Sequence, residues 1–545
     1  MDTGRLGPTV ATEGEIIMVP RISREDVAST LEDRGGRDRP DACSRDAIAG
    51  VVLAELERVK PSTVRGPLAP RSSLAAAGID AGRLGDAVAR IEGVYGMRFR
   101  EDWLASIRTC GDLVDCVAQR MFDAADRPAS AVVAPAVPVC SGHSLSAPSP
   151  DPFPECAALE ERLAGLAKNG LANPFLLANE QVQGRSASIA GRGVVSFASF
   201  DYLGLAGHPD VTQAAKDAID RFGTSASASR MVGGNTTLLD SLDAELAAFI
   251  GTERATVFPC GYGTNASVFA HLFGAGDLIL YDELAHDSIV RGAQASRAGK
   301  RSFRHNDVDQ LDGLLRDLRG DYRRVVVAIE GVYSMDGDYP DLPRFLEVKR
   351  RHDAILYVDE AHSIGTMGPR GRGICDFFCV DPADGDLWMG TISKALGSGG
   401  GYLAGSRRLI DYLGFTTPSF VFSTACSPPN AAAALEAVRV IRREPWRVTR
   451  LRERSKLFLE RAMDAGLDTG PSGDTPVVPI IVGSSNRALA VSQRLLERGI
   501  NARPILYPAV RESAARIRFF ITSEHSKDDI VRAVEELAVA VSLTT

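Results

Sequence analysis

One lysine stands among small and hydroxyl residues in the run Trp388-Met389-Gly390-Thr391-Ile392-Ser393-Lys394-Ala395-Leu396-Gly397-Ser398-Gly399-Gly400-Gly401-Tyr402. A lysine on a solvated helix has longer polar neighbours, whereas glycines let backbone or ligand approach closely. Desolvation turns an amine into a nucleophile that forms a Schiff base with a carbonyl such as that of pyridoxal phosphate. Thr391, three residues earlier, offers a hydroxyl to a phosphate. Thirty-five residues before Lys394, the apolar run Ala354-Ile355-Leu356-Tyr357-Val358 ends in Asp359-Glu360-Ala361-His362. An aspartate there suits a protonated pyridine nitrogen, which makes the ring an electron sink for a carbanion, and His362 can donate to the phenolic oxygen. The same tetrapeptide occurs in helicases. That alternative needs a Gly-x-x-x-x-Gly-Lys-Ser/Thr loop, and the nearest approach, Gly299-Lys300-Arg301, lacks both spacing and hydroxyl.

Rigid elements must deliver these groups to one place. Arg254–Phe258, Asp277–Tyr281, Arg323–Glu330 and Ala354–Asp359 are β-rich runs separated by helical stretches. Continuous apolar strands of this kind predict an α/β fold with a mostly parallel sheet covered on both faces, whose ligands gather at the carboxyl ends of the strands. Phe258 leads into Pro259-Cys260-Gly261-Tyr262-Gly263-Thr264-Asn265, a turn opening a helix whose backbone amides can hold a phosphate. Tyr281 leads to His286, placed to lie flat on a cofactor ring, and Glu330 leads to Ser334.

With 545 residues, 45% hydrophobic and 24% charged, the chain has material for about two to four domains. A formal net charge of −8 argues against nucleic acid as a partner, and the arginines from Arg447 to Arg454 read as a solvated helix face. No apolar run reaches about 18 residues, and Met1-Asp2-Thr3-Gly4-Arg5 lacks the apolar core of a signal peptide, so membrane insertion is not expected and the cytoplasm is the expected location. The nine cysteines are scattered and odd in number, as reduced thiols are. Cys375 and Cys379 read as packing residues, because no Cys or His pair completes a metal site.

In chain order, residues 1–40 read as a flexible tail, 41–122 as a helical bundle, and 123–152 as an Ala/Pro/Ser linker. Residues 153–440 then read as an N-terminal segment with the large domain, and 441–545 as a small α/β domain. Helical spacing in the bundle is carried by Ile48, Val52 and Leu56, by Leu84, Val88 and Ile91, and by Leu113, Val114 and Val117. Between these runs, Gly78-Ile79-Asp80-Ala81-Gly82-Arg83-Leu84 and Thr109-Cys110-Gly111-Asp112-Leu113 resemble an acyl carrier protein. In that family a serine opening the second helix carries phosphopantetheine. Alignment on Asp80 puts Ala81 there, with no hydroxyl to modify.

The region from about 155 to 540 resembles the α-oxoamine synthases, fold-type I pyridoxal phosphate enzymes. The resemblance rests on the order and spacing of Asp201-Tyr202-Leu203-Gly204-Leu205, Ser229-Arg230-Met231-Val232-Gly233-Gly234, Gly261-Tyr262-Gly263-Thr264-Asn265, His286-Asp287-Ser288-Ile289, Ser334-Met335-Asp336-Gly337-Asp338, Asp359-Glu360-Ala361-His362, Thr391-Ile392-Ser393-Lys394-Ala395 and Ala515-Arg516-Ile517-Arg518. It implies a large domain with a seven-stranded sheet and a smaller C-terminal domain. It also implies Lys394 as the Schiff-base lysine and proton carrier, Asp359 on the ring nitrogen, His286 stacked on the ring, and His362 with Ser334 near the phenolic oxygen. Gly261, Tyr262 and Thr391 would hold the phosphate, Arg518 the amino acid carboxylate, and Arg516 a structural place. Phe422-Ser423-Thr424 resembles the segment that reaches the phosphate from a second subunit, which implies a homodimer. The implied reaction is a decarboxylative condensation of glycine, alanine or serine with an acyl thioester, carried by CoA or by a separate acyl carrier protein, giving an α-aminoketone. The carrier-like region also resembles that of fused synthases of secondary metabolism; the alternative is a non-carrying docking module beside a synthase that uses free acyl-CoA. Where the family has asparagine before Tyr-Leu-Gly, this chain has Asp201 at the substrate-binding position, and its carboxylate would oppose that of an amino acid if both were ionised and close.

Overall fold

Alternation along the apolar strands settles how the core divides. Val325, Val327 and Ile329 pack into one buried cluster, while Val326 and Ala328 pack into a second. Successive side chains leave opposite faces of a strand, so the two clusters are the two helix-covered faces of one sheet. The computed structural model describes residues 45–95, 99, 107–125, 153–168, 170, 171 and 173–544. The chain divides into two units, Met1–Ser149 and Pro150–Thr545.

In the first unit, α1 (Arg45–Val59), α2 (Ala81–Tyr95) and α3 (Cys110–Ala125) enclose a core that includes Ile48, Val52, Leu56, Val88, Ile91, Leu113 and Val117. Each fully buried aliphatic side chain contributes roughly 1.5–3 kcal/mol. Helix α2 begins at Ala81, and Asp80 Oδ1 accepts a hydrogen bond from the Arg83 amide at 2.9 Å, as a capping carboxylate does. α3 runs three residues past 122, into the stretch expected as linker. The expected tail and the rest of that linker, up to residue 152, lie outside the described residues.

Among the described residues of the second unit, fourteen strands form three sheets. The large sheet consists of β4 (Arg254–Phe258), β5 (Asp277–Asp282), β6 (Gly299–Phe303), β7 (Arg324–Glu330), β8 (Ile355–Asp359), β9 (Leu387–Thr391) and β10 (Gly401–Gly405), in the order β4-β10-β9-β8-β7-β5-β6. All neighbours pair in parallel except β10, which runs antiparallel to β9 and β4. The parallel strands therefore end side by side, bringing Asp282, Glu330, Asp359 and Thr391 to one edge, and Gly401 at the start of β10 pairs with Thr391.

The two smaller sheets draw on strands far apart in the chain. β1 (Gln181–Gln183), β2 (Ser186–Ile189) and β3 (Arg192–Ser196) form a four-stranded sheet with β12 (Ile500–Asn501), more than 300 residues later, and β3 and β12 are parallel. Antiparallel β11 (Val477–Ile481), β14 (Arg516–Phe520) and β13 (Arg503–Ile505) form the third sheet. Two smaller expectations hold only in part. Arg447 is buried, donating to Glu444, Glu524 and the Leu203 carbonyl, because three acceptors replace the water it gives up. Cys379 is exposed, in a left-handed cap at the end of the helix Ile374–Phe378, whereas Cys375 is buried. Cys110, Cys156, Cys260, Cys375, Cys379 and Cys426 are free thiols, and no described helix is long and apolar enough to cross a membrane.

Candidate active site

β9 ends at Thr391 and the chain turns through Ser393 and Lys394 before returning as β10. This places the lysine amine beside the ends of β7 and β8. Lys394 Nζ is 2.9 Å from His362 Nε2, and His362 Nδ1 is 2.7 Å from the Tyr202 hydroxyl. Burial lowers the Lys394 ammonium to about 8; Asp359 and Glu330 pull it upward, and Arg518 adds to the lowering. Burial, with Lys394 and Arg518 nearby, holds His362 well below the usual imidazole range. The imidazole is therefore neutral, with one ring proton to place between the amine and the phenol.

Asp359 lies buried at the end of β8. Its Oδ2 accepts from Asn265 Nδ2 at 2.7 Å and its Oδ1 from the Ala361 amide at 2.9 Å. Asn265, on the helix Gly261–Leu272, is fixed in turn by the Tyr357 hydroxyl, which donates to its Oδ1 at 2.7 Å, and by Ser288 Oγ at 2.9 Å from its Nδ2. A buried carboxylate so completely hydrogen-bonded keeps one orientation. His286 caps the helix Asp287–Ala295; its Nδ1 is 2.7 Å from Ser288 Oγ and its amide donates to Glu330 Oε1 at 2.6 Å. Burial lowers the His286 imidazole, although Asp359 opposes this, and a neutral ring suits stacking. Burial and the Asp359 charge push Glu330 well above the carboxylate range.

On the neighbouring strand ends, Thr391 Oγ1 is 2.7 Å from Ser393 Oγ and donates to the Gly400 carbonyl at 3.0 Å. A Cβ added to Gly261 would lie 2.9 Å from Thr391 Oγ1, so the helix N-terminus can approach the hydroxyl only because position 261 lacks a side chain. Tyr262, expected at the phosphate, turns its hydroxyl to Asp287 Oδ2 at 2.8 Å, which leaves its backbone amide at the helix start for that role. Ser423 and Thr424 sit beyond the short helix Pro418–Val421, in a segment where Phe422 is 84% exposed, and none of the hydrogen bonds described here reaches them.

Arg518 on β14 donates through Nη1 to the Ser334 carbonyl at 2.7 Å, and its Nε is buried with no hydrogen-bond partner among the described residues. Burial lowers its guanidinium to about 10. Arg516, by contrast, pairs with Asp336 at 2.6 Å and donates to the Met335 carbonyl, a structural tie. Asp201 accepts from the amides of Leu205 at 2.8 Å and Ala206 at 3.2 Å, so its carboxylate holds its own loop while lining a cavity of about 410 Å³ with Lys394. Burial raises Asp201 to about 6, against those amides; Glu524 adds to the rise and Arg447 opposes it.

Residues 192–537 match the family described as aminotransferase class I and II. Over 380 residues the chain is 40% identical to the 8-amino-7-oxononanoate synthase of Symbiobacterium thermophilum, a match covering 70% of this chain and 96% of that protein. Among solved structures, a serine palmitoyltransferase determined with pyridoxal phosphate matches with a TM-score of 0.70 at 28% identity, over 72% of this chain and 99% of its own. The Sphingomonas wittichii serine palmitoyltransferase matches with a TM-score of 0.69 at 30% identity, over the same shares. The chain is an α-oxoamine synthase of the class I and II aminotransferase family.

Its cofactor is pyridoxal 5'-phosphate, and the residues present fit that group. The synthase offers a half-buried amine, a carboxylate held rigid at a strand end, a neutral imidazole on the adjoining strand end, and a helix N-terminus opened by Gly261 beside Thr391. Lys394, Asp359, His362 and His286, expected from the sequence, meet at one edge of the sheet. Reading the sequence assigned no role to three further residues: Tyr202, which contacts His362; Asn265, which orients Asp359; and Glu330, which fixes the His286 backbone. Asn265 and Tyr202 lay inside motifs already quoted, and the position of Glu330 at a strand end was the signal for the third.

Proposed function

We propose that this synthase joins a small amino acid, glycine, alanine or serine, to an acyl thioester with loss of carbon dioxide, giving an α-aminoketone. The observation that carries the reading is Arg518, a half-buried cation whose buried Nε has no partner among the described residues, close enough to the Lys394 amine to lower its basicity. A guanidinium left so is suited to a carboxylate, which it grips in a fork.

Bound pyridoxal phosphate supplies an electron sink for the amino acid's α carbon. Lys394 would anchor it, Asp359 would keep the proton on its ring nitrogen, His286 would lie on its face, and Gly261, the Tyr262 amide and Thr391 would hold its phosphate. His362 and Ser334 would serve its phenolic oxygen. The Lys394 amine, once free, removes the α proton, and its lowered basicity places it near neutral pH for that work. Arg518 holds the carboxylate while a bond forms between the α carbon and the thioester carbonyl. The carbon–sulfur bond breaks and the leaving thiolate takes a proton from solvent; the carboxylate departs as carbon dioxide, and the proton held by the Lys394 ammonium returns to the α carbon in its place. Orientation by Arg518 removes much of the entropic part of the barrier.

The reading extends to a cytoplasmic homodimer in which the partner's copy of the segment around Ser423 and Thr424 completes the phosphate site, and to a secondary-metabolite pathway. The first unit is read as a carrier-like domain that carries nothing, because alanine stands at position 81. It serves docking, and the donor is CoA or a separate acyl carrier protein. The test offers glycine, alanine and serine with a panel of CoA and carrier-bound thioesters, measuring thiol, carbon dioxide and product mass. Equal release of thiol and carbon dioxide supports the reading; thiol release with the carboxylate retained overturns it. Docking predicts that removing residues 1–150 impairs carrier-bound donors and leaves CoA thioesters unaffected.

A further inference from the structure

Among the described residues, the Arg518 guanidinium donates only to positions 334 and 335, through Nη1 to the Ser334 carbonyl at 2.7 Å and to Met335 Sδ at 3.4 Å. Where that carbonyl stands therefore sets where the fork points. The loop carrying it is closed on itself: the Tyr333 amide donates to the Asp338 carbonyl and the Gly337 amide to the Tyr333 carbonyl, each at 2.9 Å. Residues tied in this way shift together, so a tether at Asp338 is felt at Ser334.

That tether is His305, in the turn after β6. Its Nδ1 lies 2.9 Å from Asp282 Oδ1, at the end of β5, and its Nε2 lies 2.8 Å from Asp338 Oδ2. Ionised carboxylates only accept, so an imidazole between two of them donates from both nitrogens and carries a charge. Asn306 strengthens the same clamp, its amide donating to Asp282 Oδ2 at 2.8 Å and its Nδ2 to Asp338 Oδ2 at 2.9 Å. On its other side the loop meets the third sheet. The Gly337 carbonyl accepts from Thr475 Oγ1 at 2.7 Å, and a Cβ at position 337 would collide with the Val477 carbonyl. The loop is thus gripped between the end of β5 and the start of β11.

We propose that His305 is a positioning residue for the amino acid carboxylate: clamped between Asp282 and Asp338, it holds the loop from Ser334 to Asp338 where the Ser334 carbonyl aims the Arg518 guanidinium. The inference rests on the reading of Arg518 under Proposed function, because His305 acts through that side chain. A largely buried ionic cluster is a costly route to stability, since desolvation offsets much of the attraction. What it supplies here is a fixed place for one carbonyl, and a small misplacement of a gripping group is expensive in binding and in rate.

His305→Gln, Asp338→Asn and Arg518→Gln, each full-length and loaded with pyridoxal phosphate, are compared with the unaltered enzyme. Each is titrated with alanine and with ethylamine, which is alanine without its carboxylate, following the cofactor absorbance; serine and ethanolamine form a second pair. His305→Gln and Asp338→Asn are expected to weaken the amino acids about tenfold while leaving the amines unchanged, with KM for the amino acid rising more than kcat falls. Hydrogen exchange of peptides covering residues 333–338 in cofactor-free protein should quicken in both variants. Amino acid and amine weakened equally would make the clamp a structural tie of the whole site and overturn the proposal, as would unchanged affinity for both or unchanged exchange in the loop. If His305→Gln does not fold, Asp338→Asn, which keeps the size and one acceptor of the side chain, decides by the same comparison. Should Arg518→Gln keep the preference for amino acid over amine, the reading of Arg518 falls and takes this inference with it. A preference lost in Arg518→Gln yet kept in both clamp variants overturns this inference alone.

Discussion

Lys394 Nζ and His362 Nε2 lie 2.9 Å apart, with the Tyr202 hydroxyl 2.7 Å from the other imidazole nitrogen. The reactive amine is thus the first member of a three-residue chain through which a proton can move; Lys394 is half-buried at the cavity wall, and His362 and Tyr202 behind it are buried. Its behaviour with pH follows from that burial.

The neutral amine attacks a carbonyl, and burial first, then Arg518, brings Lys394 down to about 8 against the pull of Asp359 and Glu330. A lowered lysine pKa means that the reactive form grows as pH rises through that value. Cofactor-free protein mixed with pyridoxal phosphate should therefore capture it faster as pH increases through about 8 and then level off. Stopped-flow absorbance checks this; a rate still climbing steeply toward the pKa of an ordinary lysine would show that the amine is not desolvated as described.

Asp359 is oriented by Asn265, and the two substitutions separate charge from orientation. Asp359→Asn should retain the fold and lower turnover by about 10²–10³-fold, the scale seen when one preorganised electrostatic partner of a reacting centre is removed. Asn265→Ala leaves Asp359, Tyr357 and Ser288 short of a partner, and should cost about 1–3 kcal/mol of stability as well as activity. Denaturant midpoints and steady-state rates distinguish them. Equal loss of stability in both variants would contradict the assignment.

Away from the cofactor, His305 Nδ1 lies 2.9 Å from Asp282 and its Nε2 2.8 Å from Asp338. Burial alone would lower the imidazole, but the two carboxylates outweigh it and push the group up to about 10. A folded pKa raised above the unfolded value contributes stability that is complete below about 6.5 and is lost as pH rises toward 10. Thermal melts of His305→Gln should show the largest deficit near pH 6, narrowing steadily toward pH 10. A gap independent of pH would mean that packing, not charge, makes this contact matter.

The parallel strands were legible because Val325 to Ile329 and Leu356 to Val358 are buried on both faces, which writes an unbroken apolar run into the chain. β9 and β10 were not, since Gly390, Gly401 and Gly405 interrupt that signal where Tyr402 and neighbouring backbone crowd in. Lys394, Asp359 and His286 could be found because each ends a strand or lies in a loop with distinctive neighbours. The roles of Tyr202 and Asn265 depend on contacts across 160 and 94 residues, and no local pattern records such a meeting. The same holds for β12, which completes a sheet begun by β1 to β3.

The central claim is that Lys394 carries the cofactor, and reduction tests it most directly. Borohydride treatment of the pyridoxal phosphate-loaded protein, followed by digestion and peptide mass spectrometry, should place a pyridoxyl adduct on the peptide containing Lys394, with Lys394→Ala yielding none. An adduct on a different lysine, or one that persists in Lys394→Ala at the same level, would contradict the account.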